Sequence, residues 1–285
     1  MTPFVRRRYV GVDDLRQMQM SVAAAFPEAG LHIGDLAWLA RDQSRFELQL
    51  RISLWEDTSG RLAGWTFLRA NGEFNLFADA AHTNVGLIDQ LVDTVEETAA
   101  KALAAGDPAI ELHTYGIDIE RSATDRAIAA ALESHGYRAT TPVGGVLERD
   151  LQALPDTRPP ANYVGNDLRD DALVPGRVEA QRLVFVPSEL TLTRYQRVRS
   201  TWPYDAALDR VVLDDSGAVA AFCTAWADEI NRCGLLEPVG TVPAHRRRGL
   251  VRTVCLEALH ALRAAGMTSA RVGFVTAPAA ALYHS

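Results

Sequence analysis

The chain has 285 residues, which is long for one domain and comfortable for two. A hydrophobic fraction of 48% fits a globular protein, and a net charge of -7 argues against nucleic acid as a partner, because phosphate backbones bind basic surfaces. No apolar run approaches the roughly 18 residues of a membrane span, and no apolar core follows the early arginine run, so we expect a cytoplasmic protein without membrane contact.

The first half has the pattern of an α/β domain. Alternating apolar residues on both sides of an acidic turn predict a β-hairpin over 52–65. Gly106 ends a helical stretch, and a strand is predicted at 109–113. A further strand over 146–149 is expected to complete the sheet of this domain.

Residues 154–162 have the turn and polyproline composition of a linker, with Pro155, Pro159 and Pro160. This segment divides the chain almost in half. The sequence therefore predicts a first domain over 1–153 and a second over 163–285.

The second half repeats the layout of the first. A hairpin pattern recurs at 211–222, and Gly266 precedes a predicted strand at 270–274, so both halves follow the order strand, hairpin, strand, helix, strand, helix. Two tandem copies of an α/β domain with a mixed sheet are the economical interpretation. The first copy has six carboxylates and no Lys or Arg at 70–100, so we expect no polyphosphate site there.

A strand, a basic glycine loop and a helix follow one another over 236–252. A helix start leaves four backbone N–H groups without intrahelical partners and is partly positive, so it binds anions. Gly249 lets the backbone approach a ligand closely. Full charges are added by Arg246, Arg247, Arg248 and Arg252. The segment is predicted to bind a ligand with several phosphates, the alternatives being a solvated charged loop and an RNA site.

Two segments carry a family resemblance. Arg246-Arg247-Arg248-Gly249-Leu250-Val251 resembles the Gln/Arg-x-x-Gly-x-Gly/Ala signature of the GNAT superfamily of acyl-CoA N-acyltransferases. Val251 departs from it, because the family keeps a small residue there. The segment 276–283 resembles the family's Asn-x-x-Ala-x-x-Leu-Tyr motif, with Thr276 in place of asparagine. The two-domain layout is similar to that of the mycothiol synthases.

The resemblance implies a GNAT fold in each half, with one acyl-CoA site in the second. By this resemblance the residues that bind the cofactor are Val239, Gly240, Thr241, Arg247, Arg248, Gly249, Leu250, Val251 and Arg252. Tyr283 is the residue expected to protonate the departing CoA thiolate. No metal is expected, since the three cysteines are too few and too scattered for a metal site.

The strand before the loop supplies a candidate general base. Glu237 lies two residues before Val239 and therefore on the same face, and Asp228 and Glu229 are alternatives. Pro238 has no N–H for a sheet ladder, so it predicts either a bulge or an edge at this point.

The sequence thus predicts an N-acyltransferase that moves an acyl group, acetyl in the first instance, from acyl-CoA to the amine of a small molecule by direct attack in a ternary complex. The alternative is a catalytically inactive acyl-CoA-binding or interaction protein, which Val251 and Thr276 favour. The second half reaches Ser285 without the closing strand of the family, so its sheet is expected to lack that strand. The oligomeric state is left open.

Overall fold

A computed structural model describes residues 4–39, 45–83, 86–141 and 144–283. The chain forms two compact units: unit 1 consists of Met1–His32 and Gln43–Thr140, and unit 2 of Ile33–Asp42 and Thr141–Ser285. The division predicted from the sequence, 1–153 and 163–285, therefore does not coincide with these units. His284 and Ser285, the last residues of the sequence, lie outside the described residues.

The described residues contain ten strands and nine helices. The strands are β1 (Val5–Arg8), β2 (Ile52–Glu56), β3 (Leu62–Leu68), β4 (Phe74–Ala78), β5 (Gly145–Asp150), β6 (Tyr163–Asp167), β7 (Asp209–Asp214), β8 (Val219–Asp228), β9 (Cys233–Thr241) and β10 (Ser269–Phe274). The helices are α1 (Val12–Ala24), α2 (Ile33–Leu39), α3 (Arg45–Arg51), α4 (Leu87–Ala104), α5 (Ala123–Ser134), α6 (Val174–Val184), α7 (Leu192–Arg199), α8 (Leu250–Ala264) and α9 (Ala277–Tyr283). None of these helices is long and apolar enough to cross a bilayer.

Unit 1 is built on an antiparallel sheet with the order β1-β2-β3-β4. The predicted hairpin is present as β2 and β3. Helix α4 places an apolar stripe that includes Leu87, Leu91 and Val95 into the core of this unit. The strand predicted at 109–113 is wrong, because this segment forms a single bridge, between His113 and Glu73 just before β4, and makes no continuous ladder.

Unit 2 is built on a mixed sheet with the order β5-β10-β9-β8-β7-β6, in which β9 and β10 are parallel and the other pairs antiparallel. Helix α8 covers one face, over a core that includes Cys223 and Leu262. Helices α6, α7 and α2 cover the other face, over a core that includes Phe222 and Trp226. The predicted α/β fold with a mixed sheet is confirmed.

The strand predicted at 146–149 exists as β5, but it does not complete the sheet of the first half. It pairs antiparallel with β10 over six positions, from Ser269 opposite Asp150 to Phe274 opposite Gly145. The edge of the second sheet that was expected to lack a closing strand is therefore covered by residues upstream in the chain. An alternating pattern predicts a strand and says nothing of its partner, because any open edge can satisfy the backbone groups of that strand.

Candidate functional site

Strands β9 and β10 part halfway along their length. Their parallel pairing runs from Ser269 opposite Cys233 to Arg271 opposite Leu235, while β9 continues to Thr241 and β10 to Phe274. Beyond Leu235 the edge of β9 that faces β10 is released from the ladder. This opening leaves backbone groups of β9 available to a ligand in the middle of the sheet.

On its other edge, β9 pairs with β8 through an irregular register. Cys223 lies opposite Val239 and Ala225 opposite Leu236, so the register shifts across Glu237 and Pro238. The predicted bulge at Pro238 is confirmed, since a residue without an N–H cannot continue the ladder. Here the indole Nε1 of Trp226 donates to the carbonyl oxygen of Glu237 at 2.7 Å.

The predicted strand, glycine loop and helix are all present after the bulge. A short 3-10 turn at Pro243–His245 follows β9, and Gly249 precedes α8 as its N-cap with φ 78° and no side-chain cap. A Cβ on Gly249 would meet nothing within 4 Å. In α8 the first backbone N–H that bonds back to the loop belongs to Thr253, which donates to the carbonyl oxygen of Gly249 at 3.1 Å. The preceding N–H groups are those that a helix start leaves without intrahelical partners.

Four arginines surround this helix start, and the side chains of Arg246, Arg247, Arg248 and Arg252 are all exposed. Arg248 Nη1 donates to Tyr163 Oη at 2.9 Å. The same hydroxyl is hydrogen-bonded to His245 Nδ1 at 3.0 Å, while His245 Nε2 lies 3.6 Å from Asp214 Oδ2. Tyr163 and Asp214 were missed in the sequence, because no local pattern links them to a loop more than thirty residues away.

A cavity of about 110 Å³ lies between this helix and the sheet. It is lined by α8, β9, β10, β5 and Tyr283, and Arg252 belongs to its lining. Its apolar walls include Leu236, Leu256, Leu259 and Val272. Leu236 and Val272, the first residues of β9 and β10 beyond their last pair, both line it, so the cavity lies next to the point where the strands part.

Tyr283 is half-buried at the end of α9 and packs against the core on the α8 face. Burial raises the pKa of its hydroxyl well above the ordinary value for tyrosine, and Cys255, Cys223 and Glu237 raise it further. The hydroxyl therefore stays protonated at neutral pH.

The three candidate bases have different environments. Asp228 is buried, and its carboxylate accepts hydrogen bonds from Ile230 N at 3.0 Å and Asn231 Nδ2 at 2.7 Å, which commits it to the β8–β9 turn. Glu229 is exposed in that same turn. Glu237 is half-buried at the bulge, so it alone of the three lies on the strand that borders the opening.

The cofactor residues proposed on β9 differ in what they contact. Gly240 is required by packing on the face away from α8, because a Cβ there would come within 2.6 Å of Phe222 Cζ and 2.8 Å of Val184 Cγ1. Thr241 Oγ1 is buried and lacks a hydrogen-bond partner among the described residues. A buried hydroxyl without a partner is costly, so a ligand group that bonds it would gain affinity.

A protein-family model matches the C-terminal part of the chain. Residues 180–285 match the model of the acetyltransferase (GNAT) family. This segment therefore matches a GNAT acetyltransferase domain. This match runs from within α6 to α9 and so includes the opening between the strands, the glycine loop and Tyr283. A comparison with curated protein sequences finds no match.

Solved structures extend the GNAT likeness over nearly the whole chain. A GCN5-related N-acetyltransferase from Sphaerobacter thermophilus is 18% identical with a TM-score of 0.63, over 96% of this chain and 87% of that one. A tandem GNAT protein from the clavulanic acid biosynthesis pathway is 14% identical with a TM-score of 0.60, over 99% and 93%. Saccharomyces cerevisiae N-myristoyltransferase with bound myristoyl-CoA is 12% identical with a TM-score of 0.59, over 96% and 73%. The tandem GNAT fold expected from the sequence is confirmed, with a match to the acetyltransferase (GNAT) family over residues 180–285.

Proposed function

We propose that the GNAT domain binds an acyl-CoA and transfers its acyl group, acetyl in the first instance, to the amine of a small molecule. The observation that carries this proposal is a cavity, lined by both Arg252 and Tyr283, next to the point where the strands part. A polyphosphate end and a thioester end of one extended ligand would each find the chemistry that they need. No metal takes part in the proposed reaction.

The residues fit such a ligand. The N–H groups of Leu250, Val251 and Arg252 begin a helix of 15 residues, and the open space above Gly249 admits a pyrophosphate. The guanidinium groups of Arg247 and Arg248 add charge nearby. The released backbone of Val239, Gly240 and Thr241 would bond the amide-bearing arm, and the unpartnered hydroxyl of Thr241 supplies a further donor or acceptor.

The proposed mechanism is direct attack in a ternary complex. The neutral amine attacks the thioester carbonyl carbon, and backbone N–H groups at the β9 bulge stabilise the negative charge that develops on the carbonyl oxygen. The carbon–sulfur bond then breaks, and Tyr283 donates its proton to the departing thiolate. Glu237 removes the proton of the attacking amine, directly or through water.

The alternative is a GNAT protein that binds acyl-CoA without turnover. The observation that favours it is Val251, whose branched side chain stands where the family keeps Gly or Ala, in the first turn of α8. Crowding at this position would weaken or displace the pyrophosphate. Binding and turnover must therefore be measured separately.

The test combines calorimetric titration of CoA with release of free thiol from acetyl-CoA in the presence of a panel of small amines. We expect micromolar binding and thiol release for at least one amine, with Arg252→Gln weakening CoA binding. Arg263→Gln is the matched control, because it removes an exposed arginine from the other end of the same helix. Binding without thiol release would favour the alternative, and absence of binding would refute both.

A further inference from the structure

The proposed phosphate-binding loop at 246–249 has a backbone conformation that needs support from surrounding residues. Arg247 has φ 61° and Gly249 has φ 78°, so two of its four residues are in the left-handed region. This conformation is unfavourable for arginine and persists only where the surroundings enforce it. Adjacent arginines also repel one another, which adds to the need for an external restraint.

The restraint comes from an edge of the sheet. Tyr163 begins β6 and lies directly opposite Asp214 in the β6–β7 pair. These two neighbours contact one imidazole from both sides, with Tyr163 Oη 3.0 Å from His245 Nδ1 and Asp214 Oδ2 3.6 Å from His245 Nε2. The phenol also accepts from Arg248 Nη1 at 2.9 Å. One hydroxyl therefore ties down residues on both sides of the left-handed Arg247.

Both sides of this clamp are themselves fixed. The Tyr163 ring is half-buried and packs against the core on the α8 face, and it meets the His245 ring edge-on at 5.8 Å. The other carboxylate oxygen of Asp214 accepts from Ser216 N and Ala218 N at 2.9 and 3.0 Å. A hydroxyl and a carboxylate held in this way restrict the loop without a ligand, which lowers the entropy lost on binding.

We infer that Tyr163 is a positioning residue for the phosphate-binding loop, which it clamps through His245 and Arg248 in the shape that receives the pyrophosphate. The inference rests on the proposed function. It divides the arginines by role. The Arg248 side chain holds the loop, whereas Arg252, which lines the cavity, contacts the ligand.

The test compares the wild type with Tyr163→Phe, which keeps the ring and removes the hydroxyl. Hydrogen exchange is measured first on the full chain without ligand. The amides of His245 and Arg246, which bond to Val242 O and Pro243 O, report on the loop. We expect exchange about tenfold faster at these amides in Tyr163→Phe. Arg248→Gln removes one of the two bonds of this hydroxyl and keeps the bond to His245, so it should speed exchange by less than Tyr163→Phe.

CoA binding and acyl transfer are measured next. The dissociation constant for CoA and the KM for acetyl-CoA should rise about five- to tenfold in Tyr163→Phe, with kcat within about twofold of the wild type. A KM effect without a kcat effect separates positioning of the loop from a general loss of structure. Tyr115→Phe is the matched control, because this exposed tyrosine of unit 1 should change neither exchange at the loop nor CoA affinity.

The outcomes distinguish this inference from the proposed function. If hydrogen exchange at the loop is unchanged in Tyr163→Phe, or if it is faster but CoA affinity is unchanged, the role of Tyr163 is overturned. Neither result contradicts the proposed acyl-CoA site. If the wild type binds no CoA, the proposed function is overturned. The role of Tyr163 in ligand binding is then overturned as well, even if hydrogen exchange shows that its hydroxyl restrains the loop.

Discussion

Trp226 and Glu237 are joined across the β8–β9 pair at the point where its register shifts. The indole Nε1 donates to the Glu237 carbonyl oxygen at 2.7 Å, which gives this backbone acceptor a partner where the ladder is interrupted. Trp226 is fully buried, and its ring is packed edge-on by Tyr204 at 6.1 Å. Gly34 of α2 lies so close that a Cβ would fall 2.4 Å from Trp226 Cγ. The bulge is thus held from the face opposite α8.

Trp226→Phe removes this bond and leaves an aromatic ring in place. We expect the free energy of unfolding to fall by about 1–3 kcal/mol, since a buried carbonyl loses its partner. We also expect kcat to fall more than CoA affinity, because Glu237 and the bulge lose their support. Urea unfolding and steady-state kinetics measure the two effects. Trp55→Phe, in the core of unit 1, is the control that should lower stability and spare kcat.

Tyr283→Phe tests the proposed acid. We expect kcat to fall about a hundredfold or more while the dissociation constant for CoA changes by less than about twofold. An acid works when protonated, and burial raises the pKa of Tyr283, so its deprotonation moves to higher pH. The wild-type rate should therefore show no decline attributable to Tyr283 below about pH 10. An alkaline decline centred near pH 8 that Tyr283→Phe abolishes would contradict this assignment.

Gly249→Ala tests the open helix start against a matched glycine. Gly249 and Gly217 have φ 78° and 83°, and a Cβ on either would meet nothing within 4 Å. Each alanine variant should lose about 1–2 kcal/mol of stability to left-handed strain. Only Gly249→Ala should also weaken CoA binding, by about tenfold, since its methyl group would enter the space proposed for the pyrophosphate. Equal CoA affinities in the two variants would place the ligand elsewhere.

Local chemistry explains what could be predicted from the sequence. The two hairpin turns are the same structure twice: Gly60 N bonds to Asp57 O and Gly217 N to Asp214 O, both at 2.9 Å. The aspartate of each turn also accepts from the serine amide two residues later. Such turns, and the strand, loop and helix around Gly249, depend on residues near one another in the chain.

Nonlocal pairing explains what could not be predicted. The residues of α2 precede the first predicted hairpin, yet they belong to unit 2, where Ala37 and Trp38 join the core around Trp226. Strand β5 was predicted as a strand, but its partner was not. The clamp on the loop likewise joins Tyr163 to a histidine 82 positions away. In each case the pattern gives a local conformation, and long-range packing selects the contact.

A buried ion pair beneath the bulge provides the last prediction. Arg177 and Asp209 are both fully buried, with Nε 3.5 Å from Oδ1, and Arg177 also donates to Gln181 and Thr224. Arg177→Met leaves the aspartate buried without its cation, so the free energy of unfolding should fall by about 3–5 kcal/mol in urea denaturation. Arg182→Met, which removes an exposed arginine from the same helix, should change it by less than about 0.5 kcal/mol. The double variant Arg177→Met, Asp209→Asn should recover part of the loss, because it removes the stranded charge and keeps an acceptor for the hydroxyls of Tyr195, Tyr204 and Thr224. Equal losses in Arg177→Met and Arg182→Met would mean that the buried pair does not stabilise the fold beneath the bulge.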